Sequence, residues 1–171
     1  MRLRGGALGV ALLLVLGVLT PAGAGPSPGD QELWQLPVAA DELGPFARPP
    51  SPWGAGHRGV DLGPLAAGAS IRAPTGGEVS FVGVVVDRPV LSIRHGSGYL
   101  SSFEPVQSGL KVGDSVSAGD SVGTLAAGSG HCEEPCLHWG VRLYGEYINP
   151  LLLTGDGEPS VLLPLDEHRG R

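Results

Sequence analysis

Hydrophobic and polar residues alternate over short stretches in the middle of the chain, and this period is typical of β-strands. The stretches are rich in β-branched residues and are separated by clusters of glycine, proline and aspartate, which favour turns. Two related pentapeptides, residues 112–116 and 118–122, each place a Gly-Asp turn between hydrophobic residues. Closely spaced short strands predict an all-β fold, a compact sandwich or barrel with a Gly-rich cleft. The predicted strands are residues 78–86, 90–95, 99–103, 122–126 and 137–143.

The remaining segments predict one domain with two irregular flanks. Residues 25–52 are rich in proline, glycine and alanine, so we expect an extended lead-in. Trp34 and Phe46 within it could dock on the domain, and residues 41–43 could form a single helical turn. The domain itself is expected to span residues 53–153, and residues 154–171 predict a loosely attached polar tail.

The first 24 residues have the features of an export signal. Arg2 and Arg4 precede an uncharged apolar run, residues 7–19, and Ala22-Gly-Ala24 is a small-residue cleavage site. The run is shorter than the roughly 20 residues that a membrane span needs. We therefore expect cleavage after residue 24 and an exported protein, secreted or associated with the cell wall, with no stable membrane span. An uncleaved anchor helix is the alternative.

Charge and size narrow the choice of partners. The chain has 171 residues, with 11 Lys and Arg against 17 Asp and Glu, a formal net charge of −6. No basic patch with interleaved aromatic residues occurs, so we expect no nucleic-acid partner. The length after signal cleavage is sufficient for one domain with its own core, and we expect a monomer.

Two cysteines, Cys132 and Cys136, lie close together in the exported part. In an oxidising compartment such a pair most simply forms a disulfide. A bridge can close the short loop between them if the two Cα atoms come within about 7 Å. A closed structural zinc site made from His131, Cys132, Cys136 and His138 is the less favoured alternative.

Two motifs, residues 57–61 (His-Arg-Gly-Val-Asp) and 136–142 (Cys-Leu-His-Trp-Gly-Val-Arg), supply candidate metal ligands. Glycines around His57 and Asp61 disfavour a helix, so these two residues are expected on a loop that leads into a strand. Alternation in the second motif puts His138 on the polar face of its strand. Two nitrogens and one oxygen suit zinc with an open fourth position. A hydrogen-bonded Asp–His pair and a solvated histidine are the simpler alternatives.

The two motifs resemble those of the lysostaphin-type (LytM-like) zinc endopeptidases of bacterial cell walls, which carry H-x-x-x-D and H-x-H on an all-β domain. The resemblance implies one zinc ion on His57, Asp61 and His138, and cleavage of peptide bonds in peptidoglycan stems or cross-bridges. It extends over about residues 53–153 and includes the motifs at residues 56–62, 72–77, 93–99, 112–123, 137–142 and 149–151.

The sequence departs from this family where two auxiliary catalytic histidines are expected. Cys136 replaces the first histidine of H-x-H, and Pro105 stands where the other histidine falls. General acid–base assistance is worth roughly 10²–10⁴-fold in rate, so a replacement base matters. His131, next to Cys132, is the candidate for this role. Glu104 adjoins the missing position, but one residue along a strand we expect it to face the opposite side.

These observations predict a zinc-dependent metalloendopeptidase that acts on peptidoglycan peptides. The alternative is a zinc-binding cell-envelope module that has lost useful hydrolysis and binds wall peptides or regulates another hydrolase. A plain β module without metal is the third possibility. Retention of the ligand motifs favours the enzyme, whereas the changes at Cys136 and Pro105 favour the module.

Overall fold

The computed structural model describes residues 33–51, 53–128 and 131–155. The predicted export signal and nearly all of the predicted tail lie outside the described residues. In the described part, β-strands dominate and the one α-helix is a single turn, α1 (Leu151–Thr154). The prediction of an all-β fold is confirmed. No helix of the described residues is both long enough and apolar enough to cross a membrane.

The predicted strands are present, with ends that differ by one or two residues. The strands of the described chain are β1 (Asp41–Gly44), β2 (Val60–Gly63), β3 (Ser70–Arg72), β4 (Gly77–Val85), β5 (Arg88–Arg94), β6 (Tyr99–Glu104), β7 (Val106–Gln107), β8 (Ser115–Val116), β9 (Ser121–Leu125), β10 (Leu137–Leu143) and β11 (Glu146–Ile148).

These strands form two antiparallel sheets in the described part of the chain. The larger sheet has the order β1-β2-β10-β6-β5-β4-β8, with β11 paired to β10. The smaller sheet has the order β3-β9-β7. Buried residues of both sheets, such as Trp139 from β10 and Ile71 from β3, belong to one hydrophobic cluster. The two sheets therefore share a core, and β10 lies inside the larger sheet with a neighbour on each side.

Alternation along β10 determines what it presents to each side. Leu137, Trp139 and Val141 are fully buried in the core. His138 and Arg142, which project to the opposite face, are only half-buried. Successive side chains of a strand point to opposite faces, so the core anchors β10 while its other face stays available for chemistry.

The expected helical turn at residues 41–43 is wrong, because this segment is strand β1. It pairs antiparallel with β2, with Asp41 opposite Gly63 and Gly44 opposite Asp61. A three-residue helix pays the full nucleation cost for almost no hydrogen bonds, whereas the edge of β2 offers backbone partners at once. Trp34 and Phe46, on either side of β1, pack against the core cluster.

Candidate active site

The three predicted metal donors are brought together at the junction of β2 and β10. Asp61 lies directly opposite His138 in the antiparallel register, so the two side chains project from the same face of the sheet. His57 precedes β2 and is fixed by two backbone hydrogen bonds with Ala47, one in each direction. The site is therefore held by backbone pairing on both sides of Asp61.

The donor atoms form a close triangle. Nδ1 of His138 lies 2.8 Å from Oδ1 of Asp61. Nε2 of His57 lies 3.2 Å from the same oxygen and 3.1 Å from Nδ1 of His138. Ligands at about 2.0–2.2 Å from a tetrahedral zinc ion are separated by roughly 3.3 Å. The donor types and their spacing thus fit zinc.

The orientation of His57 is set by a carbonyl that the sequence did not single out. Nδ1 of His57 donates a hydrogen bond of 2.7 Å to the carbonyl oxygen of Pro45. This bond places the proton on Nδ1 and leaves the lone pair of Nε2 free to accept from Nδ1 of His138 or to bind a metal. Outer partners of this kind fix the tautomer of metal-binding histidines. The lead-in around Pro45 is thus part of the site.

The close approach of the two motifs depends on Gly59. A Cβ atom on this residue would lie 2.7 Å from Nε2 of His138 and would also collide with the carbonyl oxygen of Trp139. Any larger residue would push the His57 loop away from β10. The glycine between His57 and Asp61 is therefore required by the short distance between backbones.

Asp61 is held in its charged form. Burial raises the pKa of its carboxyl group, but hydrogen bonds from His138 and His131, together with their positive charge, lower it more. The net pKa is below the usual value for aspartate. The carboxylate, which is the form that binds a metal, is therefore favoured.

His131 reaches the same carboxylate from the other side. Its Nε2 lies 2.9 Å from Oδ2 of Asp61, and its side chain is 42% exposed. One donor atom from each of His57, Asp61, His131 and His138 lies within 4.8 Å of the others. The histidine that was expected to replace the missing bases is thus brought to the site.

A disulfide between Cys132 and Cys136 closes the loop next to His131, with the two Cα atoms 6.2 Å apart. The disulfide predicted from the sequence is present. A sulfur in a disulfide is not a thiolate, so the alternative of a closed zinc site that uses these cysteines does not apply to this state.

The two positions that depart from the family face a common space. Pro105, Cys132 and Cys136 line a cavity of about 220 Å³. Neither Pro105 nor the disulfide-bonded Cys136 offers a group that can exchange a proton at neutral pH. The described residues around this cavity therefore contribute packing against the disulfide.

The expectation that Glu104 faces away from the site is wrong. Glu104 lies directly opposite His138 in the register between β6 and β10, and directly opposed residues share a face. Both side chains line the same cleft of about 740 Å³. The expectation assumed that Glu104 and Pro105 are consecutive residues of one strand. Pro105 instead lies between β6 and β7, so the alternation of faces does not apply to this pair. Glu104 is thus a carboxylate of the site that sequence reasoning set aside.

His95 lies away from the candidate metal donors, although it lines the same cleft as Glu104. It is 5% exposed, and its ring nitrogens lie 2.8 Å from the Gly76 carbonyl oxygen and 2.9 Å from Oγ of Ser101. Burial lowers its pKa, although the hydrogen bond to Gly76 opposes this shift. His95 also contacts the ring of Trp34. These contacts give His95 a packing role.

Comparison with known proteins adds to this geometry. Residues 55–150 match the model of peptidase family M23. An uncharacterized protein of Mycobacterium tuberculosis is 36% identical over 151 residues. The match covers 84% of this chain and 59% of that protein, so the chain spans less than two thirds of its relative's length.

Solved structures with similar folds include peptidases. A putative peptidase M23 from Pseudomonas aeruginosa has 27% identity and a TM-score of 0.58, over 78% of this chain and 55% of that one. The catalytic domain of the antimicrobial peptidase lysostaphin from Staphylococcus simulans has 19% identity and a TM-score of 0.58, over 68% and 92%. The second likeness concerns the fold alone.

Proposed function

The chain belongs to peptidase family M23, and on that premise we propose that it is a zinc-dependent metalloendopeptidase that cleaves peptide bonds in peptidoglycan peptides. The observation that carries the proposal is the triangle of His57 Nε2, Asp61 Oδ1 and His138 Nδ1, with sides of 2.8–3.2 Å. Three protein donors with an open fourth position are typical of catalytic zinc sites, and four are typical of structural ones.

The three donors would hold one zinc ion. When bound, zinc supplies Lewis acidity to the peptide carbonyl and makes water more acidic. The chain contributes the orientation of the donors through Pro45 and the paired strands. It also excludes water from beneath the site, because Trp139 next to His138 is fully buried.

His131 is the proposed base. Its Nε2–H donates a hydrogen bond of 2.9 Å to Oδ2 of Asp61, so the lone pair that would take a proton is that of Nδ1. The disulfide next to His131 restrains the loop that presents the ring. Glu104 on the cleft face is the second candidate, and its Oε1 lies 4.0 Å from Nη1 of Arg88.

Peptidoglycan as the substrate rests on the resemblance of the motifs and on the cleft beside His138. The cleft has a volume of about 740 Å³, which is sufficient for several residues of an extended peptide. The export signal expected in residues 1–24 would deliver the protein to the cell wall, and we propose this extracytoplasmic location for it.

A second function, a wall-binding or regulatory module without useful hydrolysis, is favoured by one specific observation. Both positions at which the family's auxiliary histidines are expected, Pro105 and Cys136, lack an imidazole. Under this alternative the zinc site would stabilise the fold or bind wall peptides. His131 would only orient Asp61.

Release of new amino groups from purified peptidoglycan tests the proposal. The zinc-loaded protein and its His138→Ala variant are compared at the same zinc concentration in the buffer. Parent protein treated with a chelator is a further control. Release by the parent alone is expected. No release from several peptidoglycan chemistries by a protein that still holds zinc would overturn the peptidase and support the module.

A further inference from the structure

The floor of the cleft beside His138 is made of small residues in one row. Gly140 of β10 lies opposite Ser102 of β6, and Ser102 lies opposite Ser92 of β5. All three line the cleft of about 740 Å³. Gly140 is covered by the carbonyl oxygen of Arg58 and by the Tyr147 ring, so an extended peptide could approach the sheet most closely above the half-buried Ser102.

The rows on either side of this floor differ in charge. On one side lie His138 and its cross-strand partner Glu104. On the other side Arg142 pairs with Leu100, which in turn pairs with Arg94. Four residues along β10 separate His138 from Arg142, a distance of about 13 Å between backbones. The basic row is thus about four extended residues from the candidate metal donors.

An aromatic ring fixes the basic side chains next to the floor. Tyr147 of β11 lies opposite Arg142 in the register. The guanidinium carbon of Arg142 lies 5.3 Å from the centre of the Tyr147 ring, and that of Arg58 lies 5.9 Å from it. A Cβ atom on Gly140 would come within 3.7 Å of the same ring. Cation–π stacking orients the Arg142 guanidinium group without neutralising it.

The basic row of the cleft has a charge opposite to the net charge of the whole chain. The chain has a net charge of −6, yet Arg58, Arg94 and Arg142 all line the cleft. Among the described residues, Glu104 is the one acidic side chain that lines it, and it already faces Arg88 at 4.0 Å. In the described part of the chain, Arg94 and Arg142 form no ion pair with a carboxylate. A cleft lined by one sign of charge attracts ligands of the other sign.

We propose that Arg142, supported by Arg94, binds a free carboxylate of the peptide ligand within about four residues of the bond at the metal site. The planar guanidinium group matches a carboxylate through two parallel hydrogen bonds, and a lysine does not reproduce this geometry. The inference deepens the proposed function, because it takes the ligand to be a peptide. The cleft would therefore select peptides that keep a carboxylate over peptides in which that group is amidated.

The test measures binding rather than cleavage. Acetyl-trialanine with a free C-terminal carboxylate and the same peptide as its C-terminal amide are titrated into the full chain by NMR. The acid is expected to bind roughly tenfold more tightly than the amide. In Arg142→Gln this preference should disappear, and in Arg142→Lys it should be only partly retained. Lys111→Gln removes one exposed charge away from the cleft and should leave the preference unchanged.

Equal affinity of the acid and the amide, or an unchanged preference in Arg142→Gln, overturns the inference. If Arg142→Gln does not fold, the exposed Arg94→Gln is used, and a weaker preference for the acid is expected there. Retained preference in a protein that releases nothing from peptidoglycan supports the carboxylate site and contradicts the peptidase. The two proposals can therefore fail separately.

Discussion

The two oxygens of Asp61 belong to regions that are built in different ways. Oδ1 faces His57 and His138, which are positioned by backbone pairing of β2, β10 and the lead-in. Oδ2 faces His131, which is carried by a short loop that a disulfide closes. The same carboxylate thus joins a donor set fixed by a sheet to a proton-transfer candidate fixed by a covalent bridge.

This difference suggests which parts of the site can change without loss of the fold. Donors on paired strands cannot move without breaking the register, because a shift of one residue turns every side chain to the other face. A loop residue is free of this constraint. A catalytic base can therefore be absent at Pro105 and Cys136 and be supplied by a neighbouring loop. Metal donors on paired strands have to stay in place.

Removing the shared carboxylate should have the largest effect. Asp61→Asn takes away the charge that faces all three histidines, so zinc affinity should fall by more than the roughly 10–100-fold typical of outer partners. Hydrolysis should fall below detection. Competition with a chromophoric chelator measures the affinity, and the exposed Asp87→Asn is the matched control. A zinc affinity of Asp61→Asn within about tenfold of the parent's would show that Asp61 is not a zinc ligand.

Changing the loop side alone should affect turnover more than metal binding. His131→Ala should slow hydrolysis by roughly 10²–10⁴-fold because the proposed base is lost. Zinc affinity should fall by no more than about 100-fold, the range for an outer partner. The parallel variant Glu104→Gln should cost less than about tenfold in turnover, well below the value for a lost base. A larger loss in Glu104→Gln than in His131→Ala would move the base to Glu104.

Opening the loop should have an intermediate effect. The double variant Cys132→Ala/Cys136→Ala removes a bridge that closes a sequence separation of 4. A loop of this size should contribute about 2 kcal/mol to the free energy of unfolding. Turnover should fall toward that of His131→Ala, and zinc affinity should change little. Chemical denaturation and chelator competition on the same preparation give both quantities. If the double variant lost its zinc but unfolded with the same free energy as the parent, the metal donors would depend on the loop. That result would contradict the division of the site into a strand region and a loop region.

Crowding the strand side should affect stability without removing a donor or the proposed base. Gly59→Ala places a methyl group against His138 and should cost about 1–3 kcal/mol of stability, as overpacking does. Gly96→Ala is the matched control, because a Cβ atom there meets nothing within 4 Å. Its stability should stay within about 0.5 kcal/mol of the parent. Thermal unfolding compares the two variants. Equal stability would show that the close approach of Gly59 to β10 is not required for stability.

The same contrast explains how much could be predicted from the sequence. The strands and the buried side of β10 followed from alternation, because Leu137, Trp139 and Val141 alternate with smaller or polar residues. The grouping of His57, Asp61 and His138 was implied by the resemblance of two motifs to those of a known family. Asp41–Gly44 was mistaken for a helical turn, because an edge strand this short is decided by its partner.

Other parts of the site depend on contacts that leave no local pattern. The carbonyl oxygen of Pro45 that orients His57 is a backbone group, which any residue would offer. Glu104 was placed on the wrong face because its orientation depends on pairing with β10 rather than on its distance from Pro105. The contact of His131 with Asp61 requires the chain to fold back across 70 residues, which no short-range spacing encodes.

Diffraction at the zinc absorption edge from crystals of the zinc-loaded protein tests the central claim most directly. The account predicts one anomalous peak, about 2.0–2.2 Å from His57 Nε2, Asp61 Oδ1 and His138 Nδ1, with His131 outside bonding distance. A peak that also bonds Nε2 of His131 would give a closed set of four protein donors and contradict an open catalytic site. A peak away from Asp61 would contradict the metal site itself.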